Sequence, residues 1–405
     1  MRLKTILIVI VAMCMVATMV VLFSGCSKDE EPTPTGETKE VTIGLSAPLS
    51  GVAAGYGVDI QEGMEMAIKY VNDMGGIKIG DVTYTFKLEA SDDGMVPEQA
   101  LTNATSMVLE EGINIIMDPT ANTIGALMQI NETPGEEFLI LAYTSVPLYA
   151  QTPNSLLVTG PPPFSVYIEE FIKLAMGSGM MKLGVLTTTG AYGELWASTF
   201  TEDWTGAGGE VVASAPADYY TETDYTANLT TVLAGNPDVL FVGGPSDPTA
   251  LVIEQARGLG FEGGFIVIDQ AKLDDIELIT GMEALEGAIG VLPVVDAEDD
   301  WPYMTTFAKD YEDEYGEMVT WETAISYTMV YILTQAMEAA GSVDDVAAIR
   351  AAFADGNVSV TSGEEFPVAF SGINDATGAL LMPATATMVV DGAFQGMDLI
   401  YWWEE

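Results

Sequence analysis

The chain alternates short apolar runs with stretches in which apolar residues recur at helical spacing. Residues 41–45 predict a strand, and Ile60, Met64, Ile68 and Val71 after it fall on one face of a helix. The same pattern predicts strands at residues 82–88, 113–117 and 138–142 and helices at residues 98–111 and 123–131. Alternation of this kind is typical of strands that are buried on both faces between covering helices.

The pattern begins again at Leu183, so the chain contains a second round of strands and helices. This round predicts strands at residues 183–186, 211–213, 239–242 and 265–268 and helices at residues 194–205 and 251–259. Long helices at residues 301–315 and 323–340 and a β-rich stretch from residue 366 follow. We therefore predict the fold class α/β, with two doubly wound parallel-sheet lobes. Ligands of such sheets bind at the carboxyl ends of the strands.

Two segments of the sequence predict crossovers between the lobes. Pro161, Pro162 and Pro163 lie between the two rounds, in residues 158–164, and proline does not fit inside a helix or a central strand. A second crossover is predicted near residues 287–294, before the long helices. Loops of both lobes can then face one cleft.

The first residues predict an export signal rather than part of the fold. A positive start and an apolar run precede Ser24-Gly25-Cys26, which resembles the cleavage box of bacterial lipoproteins. The resemblance implies removal of residues 1–25 and lipidation of Cys26. The alternative is an uncleaved transmembrane helix. Both interpretations place the body at the outer face of the cytoplasmic membrane or in the periplasm. Residues 26–40 are polar and predict a flexible tether.

Composition excludes several classes of function. The 60 acidic and 13 basic residues give a formal net charge of -47, which repels nucleic acid and anionic lipid. The chain has no histidine, so it lacks the usual general base and the commonest zinc ligand. Its two cysteines, Cys14 and Cys26, precede the body, which therefore has no thiol nucleophile. We expect no catalysis, no cofactor, no metal site and no nucleic-acid partner.

Several fragments, taken in order, resemble the leucine/isoleucine/valine-binding protein family of ABC import systems. They are Ile43-Gly-Leu-Ser-Ala-Pro-Leu-Ser-Gly51 with Tyr56-Gly57, Gly75-Gly76-Ile77, Asp92-Asp93, Ala191-Tyr192-Gly193, and Asn236-Pro-Asp-Val-Leu-Phe-Val-Gly-Gly244 with Gln255-Ala-Arg-Gly-Leu-Gly260. The C-terminal third is similar in length and pattern only. The resemblance implies the type I periplasmic-binding fold, in which three crossovers form a hinge between two lobes. The first lobe would comprise residues 41–158 and 290–383, and the second residues 159–289 and 384–405.

The resemblance also implies a ligand site. In this family, hydroxyls and backbone amides of the first lobe hold the ligand's carboxylate, an acidic residue of the second lobe meets its ammonium, and aromatic residues close over both. The matching positions are Tyr56, Asn122, Thr123, Tyr143 and Ser145 on the first lobe and Tyr192, Ser246 and Asp269 on the second. Three of these residues depart from the usual pattern, which leaves the ligand open: Asn122, Tyr143 and Ser246. Tyr56 could instead pack at a helix start, and Asn122 and Thr123 could be a plain helix cap.

Arginine is scarce, and Arg257 is predicted to lie in mid-helix, so the sequence does not favour an arginine clamp on a carboxylate. The resemblance implies an extracytoplasmic solute-binding protein of an ABC importer, which closes on a branched-chain or similar amino acid and docks on permease subunits. Four alternatives remain: a ligand-sensing module for a signalling partner, a binder of an amide or small carboxylate, an aspartate-based hydrolase using Asp92-Asp93, and a structural surface protein.

Overall fold

A computed structural model describes residues 37–149, 152–297, 301–354, 356–360, 366–374, 377–396 and 398–404. The predicted signal peptide and the predicted lipidation site, Cys26, lie outside these residues. Residues 39–405 form one compact unit, and this unit contains two sheets.

The first sheet is built from six strands in the order β2-β3-β1-β4-β5-β6. The strands are β1 (Glu37–Ala47), β2 (Ile77–Ile79), β3 (Val82–Asp92), β4 (Ile115–Asp118), β5 (Leu139–Tyr143) and β6 (Leu157–Gly160), and the helices of this region are α1 (Ala54–Asp73), α2 (Pro97–Leu109) and α3 (Ala121–Leu127). β1, β4, β5 and β6 run parallel, while β2 pairs antiparallel with β3. β1 begins at Glu37, so residues 37–40, which the polar composition assigns to a tether, are strand.

The second sheet contains seven strands in the order β13-β12-β11-β10-β9-β7-β8. The strands are β7 (Lys182–Thr188), β8 (Glu210–Ala217), β9 (Val239–Val242), β10 (Gly264–Val267), β11 (Ala288–Gly290), β12 (Thr387–Val390) and β13 (Ala393–Gly396), and the helices are α4 (Phe164–Gly177), α5 (Ala191–Gly206), α6 (Thr226–Leu233), α7 (Ser246–Gly258) and α8 (Leu273–Thr280). β7 to β11 are parallel neighbours, and β12 and β13 continue the sheet antiparallel. Every residue of β9 and β10 is buried, because helices cover both faces of the central strands.

The chain passes between the sheets three times. It leaves the first sheet after β6 and the second after β11, and it returns to the second sheet before β12. Before this return, Thr159 donates to the carbonyl of Gly378 at 2.9 Å and accepts from the N–H of Leu380 at 2.8 Å, so residues 378–380 lie beside β6. The predicted pair of doubly wound α/β lobes is confirmed.

Three helices follow β11: α9 (Met304–Tyr315), α10 (Trp321–Ala340) and α11 (Val346–Ala354). α10 packs along α1 and so belongs to the first lobe. Gly63 allows this close approach, since a Cβ added there would lie 2.2 Å from the Ser326 hydroxyl oxygen and 2.4 Å from the Thr323 carbonyl oxygen. Packing on α1 carries the first turn of α10 to the cleft.

Candidate functional site

A cavity of about 400 Å³ lies between the lobes, at the carboxyl ends of the strands. Its walls are the loops that follow β4 and β5 of the first sheet and β7, β8 and β10 of the second, together with the first turn of α10. The principal lining residues are Tyr56, Asn122, Tyr143, Thr144, Ser145, Trp321 and Glu322 from the first lobe and Tyr167, Thr189, Tyr192, Asp218, Tyr220, Asp269, Gln270 and Lys272 from the second. This is the edge at which doubly wound sheets place their ligands.

Tyr192 connects the two lobes at the centre of the cavity. Its hydroxyl lies 2.8 Å from the hydroxyl of Ser145, across the cleft, and also donates to Asp269 Oδ1. The indole N–H of Trp196, which is fully buried, donates to the same carboxylate oxygen at 3.0 Å. Asp269 Oδ1 is thus held by two donors, while Oδ2 has no hydrogen-bond donor among the described residues. The half-buried carboxylate can accept from a cation in the cavity.

A second connection between the lobes is an ion pair. Lys272, in the loop after β10, lies 2.7 Å from Glu322, in the first turn of α10, and their side chains are only 8% and 4% exposed. The ammonium of Lys272 also donates to the carbonyls of Asp269 and Gln270, at 2.8 and 3.3 Å. Burial lowers the pKa of Lys272, but the attraction and hydrogen bond of Glu322, together with the charges of Asp269 and Asp275, outweigh it and raise the pKa above its usual range, so the ammonium form persists.

Aromatic side chains form much of the remaining wall. The rings of Tyr56 and Tyr143 meet edge to face with centroids 6.0 Å apart, and the hydroxyl of Tyr56 donates to the carbonyl of Pro119 at 3.2 Å. Burial raises the pKa of Tyr56, Tyr143 and Tyr167 well above the usual value, so all three keep their protons. Protonated phenols offer both apolar contact and hydrogen bonds.

The lining carries three carboxylates and one ammonium, namely Asp218, Asp269, Glu322 and Lys272. Glu322 is paired with Lys272. Asp218 accepts from the backbone N–H groups of Tyr220 and Thr221 and from the Thr221 hydroxyl, at 2.6 to 3.2 Å. Asp269 therefore remains as the carboxylate available to a ligand cation.

The structure brings six of the eight sequence-predicted site residues together. Tyr56, Asn122, Tyr143, Ser145, Tyr192 and Asp269 all line the cavity. Thr123 and Ser246 do not. The buried Thr123 hydroxyl donates to Asp118 Oδ1 at 2.5 Å, and the Ser246 hydroxyl accepts from the backbone N–H of Lys272 at 3.0 Å. Ser246 thus contacts a lining residue, and the Thr123 hydroxyl also lies 2.8 Å from the carbonyl oxygen of Thr120, another lining residue.

The sequence reasoning missed Lys272, Glu322 and Tyr167. Lys272 follows Asp269 in the same loop at the end of a strand. Because the chain has only 13 basic residues, a lysine at this position could have been predicted as a site residue. Glu322 and Tyr167 carried none, because each lies in the first turn of a helix that enters the site only through tertiary packing.

The Asp92-Asp93 pair lies outside the cavity lining. Asp92 accepts from the N–H of Leu49 at 2.9 Å and from the Ser50 hydroxyl at 2.5 Å. Asp93 accepts from the Ser46 hydroxyl at 2.9 Å and from the N–H of Met95 at 2.8 Å. Both carboxylates thus fasten the turn after β3, which favours a structural role.

The described part of the chain contains neither a membrane-spanning helix nor a cluster of metal-ligating side chains. None of its helices combines the length and apolarity required to cross a membrane. Within the same residues, no group of three or more acidic, cysteine or histidine side chains is arranged to hold a metal ion.

Comparisons with known proteins agree with this architecture. A family model described as periplasmic binding protein matches residues 40–393. The Leu/Ile/Val-binding protein BraC3 of Rhizobium johnstonii is 26% identical over 332 residues, which cover 78% of this chain and 84% of that protein. Leu/Ile/Val-binding protein homolog 3 of Brucella melitensis is 24% identical over 339 residues, with the same coverage of 78% and 84%.

Solved structures show the same fold at lower sequence identity. The leucine binding protein LivK from Thermotoga maritima superposes with a TM-score of 0.74 at 20% identity, over 90% of this chain and all of that one (100%). The substrate binding protein LivJ from Streptococcus pneumoniae, in complex with isoleucine, gives a TM-score of 0.73 at 19% identity, over 89% of this chain and 99% of that one.

Proposed function

Because this chain belongs to the periplasmic binding protein family, we propose that it captures an α-amino acid between its two lobes and delivers it to the permease of an ABC importer. The observation that carries this proposal is the cavity shared by both lobes. In it, Asp269 Oδ2 accepts from no donor of the described residues and lies close to the hydroxyls of Tyr192 and Ser145. The relatives whose names give leucine, isoleucine or valine as ligand support an amino acid as the solute.

The ligand's ammonium binds Asp269 in this proposal. A carboxylate in a partly desolvated site attracts a cation more strongly than in water, and the rings of Tyr56 and Tyr192 can add cation–π attraction. The ligand's carboxylate faces the hydroxyl of Ser145 and the amide of Asn122 on the first lobe, where neutral donors replace an arginine. Thr123 and Ser246 act indirectly, through Asp118 and the Lys272 loop.

The open protein binds ligand on one lobe and the other lobe then closes by hinge motion at the three crossovers. Closure is favoured to the extent that ligand binds the closed state more tightly. Removal of residues 1–25 and lipidation of Cys26 would keep the protein at the membrane beside the permease. A Cys26→Ala variant found in the soluble rather than the membrane fraction would support this anchoring, and unchanged membrane association would refute it.

Calorimetric titration of the full-length protein, unfolded and refolded to remove carried-over ligand, tests the central proposal. The panel contains aliphatic, aromatic and polar amino acids, acetamide and small carboxylates. We expect at least one α-amino acid to bind, and Asp269→Asn to weaken it about 10- to 100-fold, as expected for loss of a charged hydrogen bond. Asparagine keeps an acceptor for Tyr192 and Trp196, so the fold should remain intact.

Asp247→Asn is the matched control, since this exposed carboxylate lies on the second lobe outside the cavity. It removes the same charge and should leave affinity unchanged. Equal binding by the Asp269 and Asp247 variants would refute the assignment of the ammonium site, and binding of no amino acid would refute the proposed function.

A further inference from the structure

Two tyrosine hydroxyls in the cavity have no hydrogen-bond partner within the described part of the chain. Tyr143, at the end of β5, and Tyr167, in the first turn of α4, are only 3% and 5% exposed, and both line the cavity. Neither hydroxyl forms a hydrogen bond with any of the described residues. Nor are these hydroxyls among the fully buried side-chain oxygens that lack a partner. They are therefore accessible from the cavity and free to bond a ligand.

The two hydroxyls come from opposite lobes. Tyr143 is fixed by β5 and by its edge-to-face contact with Tyr56. Tyr167 belongs to α4, whose Phe164 and Phe171 pack on the Trp196 ring of the second lobe. A ligand group that bonds both hydroxyls would be held only when the lobes have closed.

A ligand with an aliphatic side chain would leave the hydroxyls of Tyr143 and Tyr167 without hydrogen bonds. On closure, hydroxyls that water solvated would face methyl groups, and an unmet buried hydroxyl is costly. A site with polar groups of this kind discriminates strongly against a ligand that lacks the matching group. The pair thus selects for a polar group.

The charges around the two hydroxyls decide which polar group fits. Glu322 and Asp269 raise the pKa of both phenols beyond the effect of burial, so a negative field reaches them. This field opposes an anion, whether an acidic side chain or the ligand's own carboxylate. A cationic side chain would have to compete with Lys272 for Glu322 and with three donors for Asp218.

We infer that Tyr143 and Tyr167 form a specificity subsite for a neutral hydrogen-bonding side chain, of the amide or hydroxyl kind, on the amino-acid ligand. This inference rests on the proposed function and refines it, since the named relatives take branched aliphatic amino acids. The cavity of about 400 Å³ leaves room for a side chain the size of glutamine beyond the main-chain groups.

Titration of the full-length protein with glutamine, asparagine and threonine, and with methionine, leucine and glutamate as comparators, tests the inference. Methionine matches glutamine in length without its hydrogen bonds, and glutamate matches it in shape with a negative charge. We expect a neutral polar amino acid to bind at least tenfold more tightly than any comparator. Tightest binding of leucine or methionine would overturn the inference while leaving the proposed function standing, whereas binding of no amino acid would overturn both.

Tyr143→Phe and Tyr167→Phe remove one oxygen each and keep the ring, so both variants should fold. Each should weaken the polar ligand about 3- to 10-fold, in line with loss of one neutral hydrogen bond, and should leave leucine binding unchanged or stronger. Tyr84→Phe is the control, because Tyr84 lies in β3, outside the cavity lining, and loses the same hydroxyl. An equal loss of affinity for polar and aliphatic ligands in both tyrosine variants would show that the hydroxyls do not bind the ligand's side chain.

Discussion

Lys272 of the second lobe and Glu322 of the first form an ion pair 2.7 Å long, with both side chains more than nine-tenths buried. Breaking such a pair from one side leaves a buried charge without compensation, which typically costs about 3–5 kcal/mol. The pair spans the cleft, so the cost falls on the closed arrangement of the lobes.

Lys272→Met should therefore weaken ligand binding strongly while the separate lobes stay folded. Methionine retains the length of the lysine stem, and calorimetry of ligand binding measures the loss. Adding Glu322→Gln should restore part of it, because the uncompensated carboxylate is then removed. Lys309→Met is the control, since the pair of Lys309 with Asp313 is solvent-exposed and such pairs contribute little. Equal affinities of the Lys272 and Lys309 variants would contradict the prediction.

The hydrogen bond between Ser145 and Tyr192 also connects the two lobes across the cleft. Ser145→Ala should lower ligand affinity about 2- to 10-fold, because one neutral hydrogen bond within the closed site is lost. Thr144→Ser, in the same loop, serves as a mild control that keeps a hydroxyl. An affinity for Ser145→Ala equal to that of the wild type would show that this bond does not contribute to the closed state.

Stability should fall as the pH rises toward 8, because of Asp59. Burial, and after it repulsion from Glu322, raises the pKa of Asp59 to about 8, and burial beside Asp275 raises that of Asp274 to about 7. Unfolded aspartate titrates near about 4, so the fold favours the neutral acid. The resulting stabilisation of the folded state is complete below the pKa of the unfolded aspartate, and it is lost as the pH rises to the pKa in the folded state.

Asp59→Asn stays neutral at every pH and should therefore have a smaller drop in melting temperature between pH 5 and pH 8 than the wild type. Asparagine can still accept from the Thr320 hydroxyl, which lies 3.0 Å from Asp59 Oδ2. Asp274→Asn should act in the same direction. A pH dependence identical to that of the wild type in both variants would show that these carboxyls ionise normally in the fold.

Gly63→Ala should destabilise the first lobe. The added methyl would lie 2.2 Å from the Ser326 hydroxyl oxygen and 2.4 Å from the Thr323 carbonyl, so α10 must move away from α1, at a typical cost of about 1–3 kcal/mol. Denaturant unfolding measures the change. Gly55→Ala, in the exposed first turn of the same helix, meets nothing within 4 Å and should be neutral or stabilising. Similar unfolding curves for the two variants would contradict the packing argument.

The sequence predicted the fold far better than it predicted the site. Buried strands such as β9 and β10 were predictable because they are continuous apolar runs in the sequence. The resemblance of the N-terminal two thirds to a known family is confirmed by the comparisons. Short elements were missed. β6 is four residues long and adjoins three prolines, so Leu157 and Val158 gave too little pattern to be recognised.

Site residues were predictable where chain position alone brings them to the cleft. Ser145 and Asp269 follow buried strands, and every strand of one direction ends at the same edge of its sheet. Glu322 and Tyr167 arrive there through the packing of α10 on the first lobe and of α4 on the second. Such packing cannot be predicted from the spacing of residues in the sequence. A glutamate that is buried in the fold also cannot be distinguished in the sequence from the other acidic residues, of which the chain has 60 in all.

The cavity walls come from both lobes, and this has a consequence for timing. Under the proposed function, a bound solute leaves only when the lobes separate, and separation requires that the contacts of Lys272 and Tyr192 across the cleft break together. The solute's own contacts with both lobes must break in the same event, so a solute that fits better should also stay longer. Release would then be all-or-none rather than gradual.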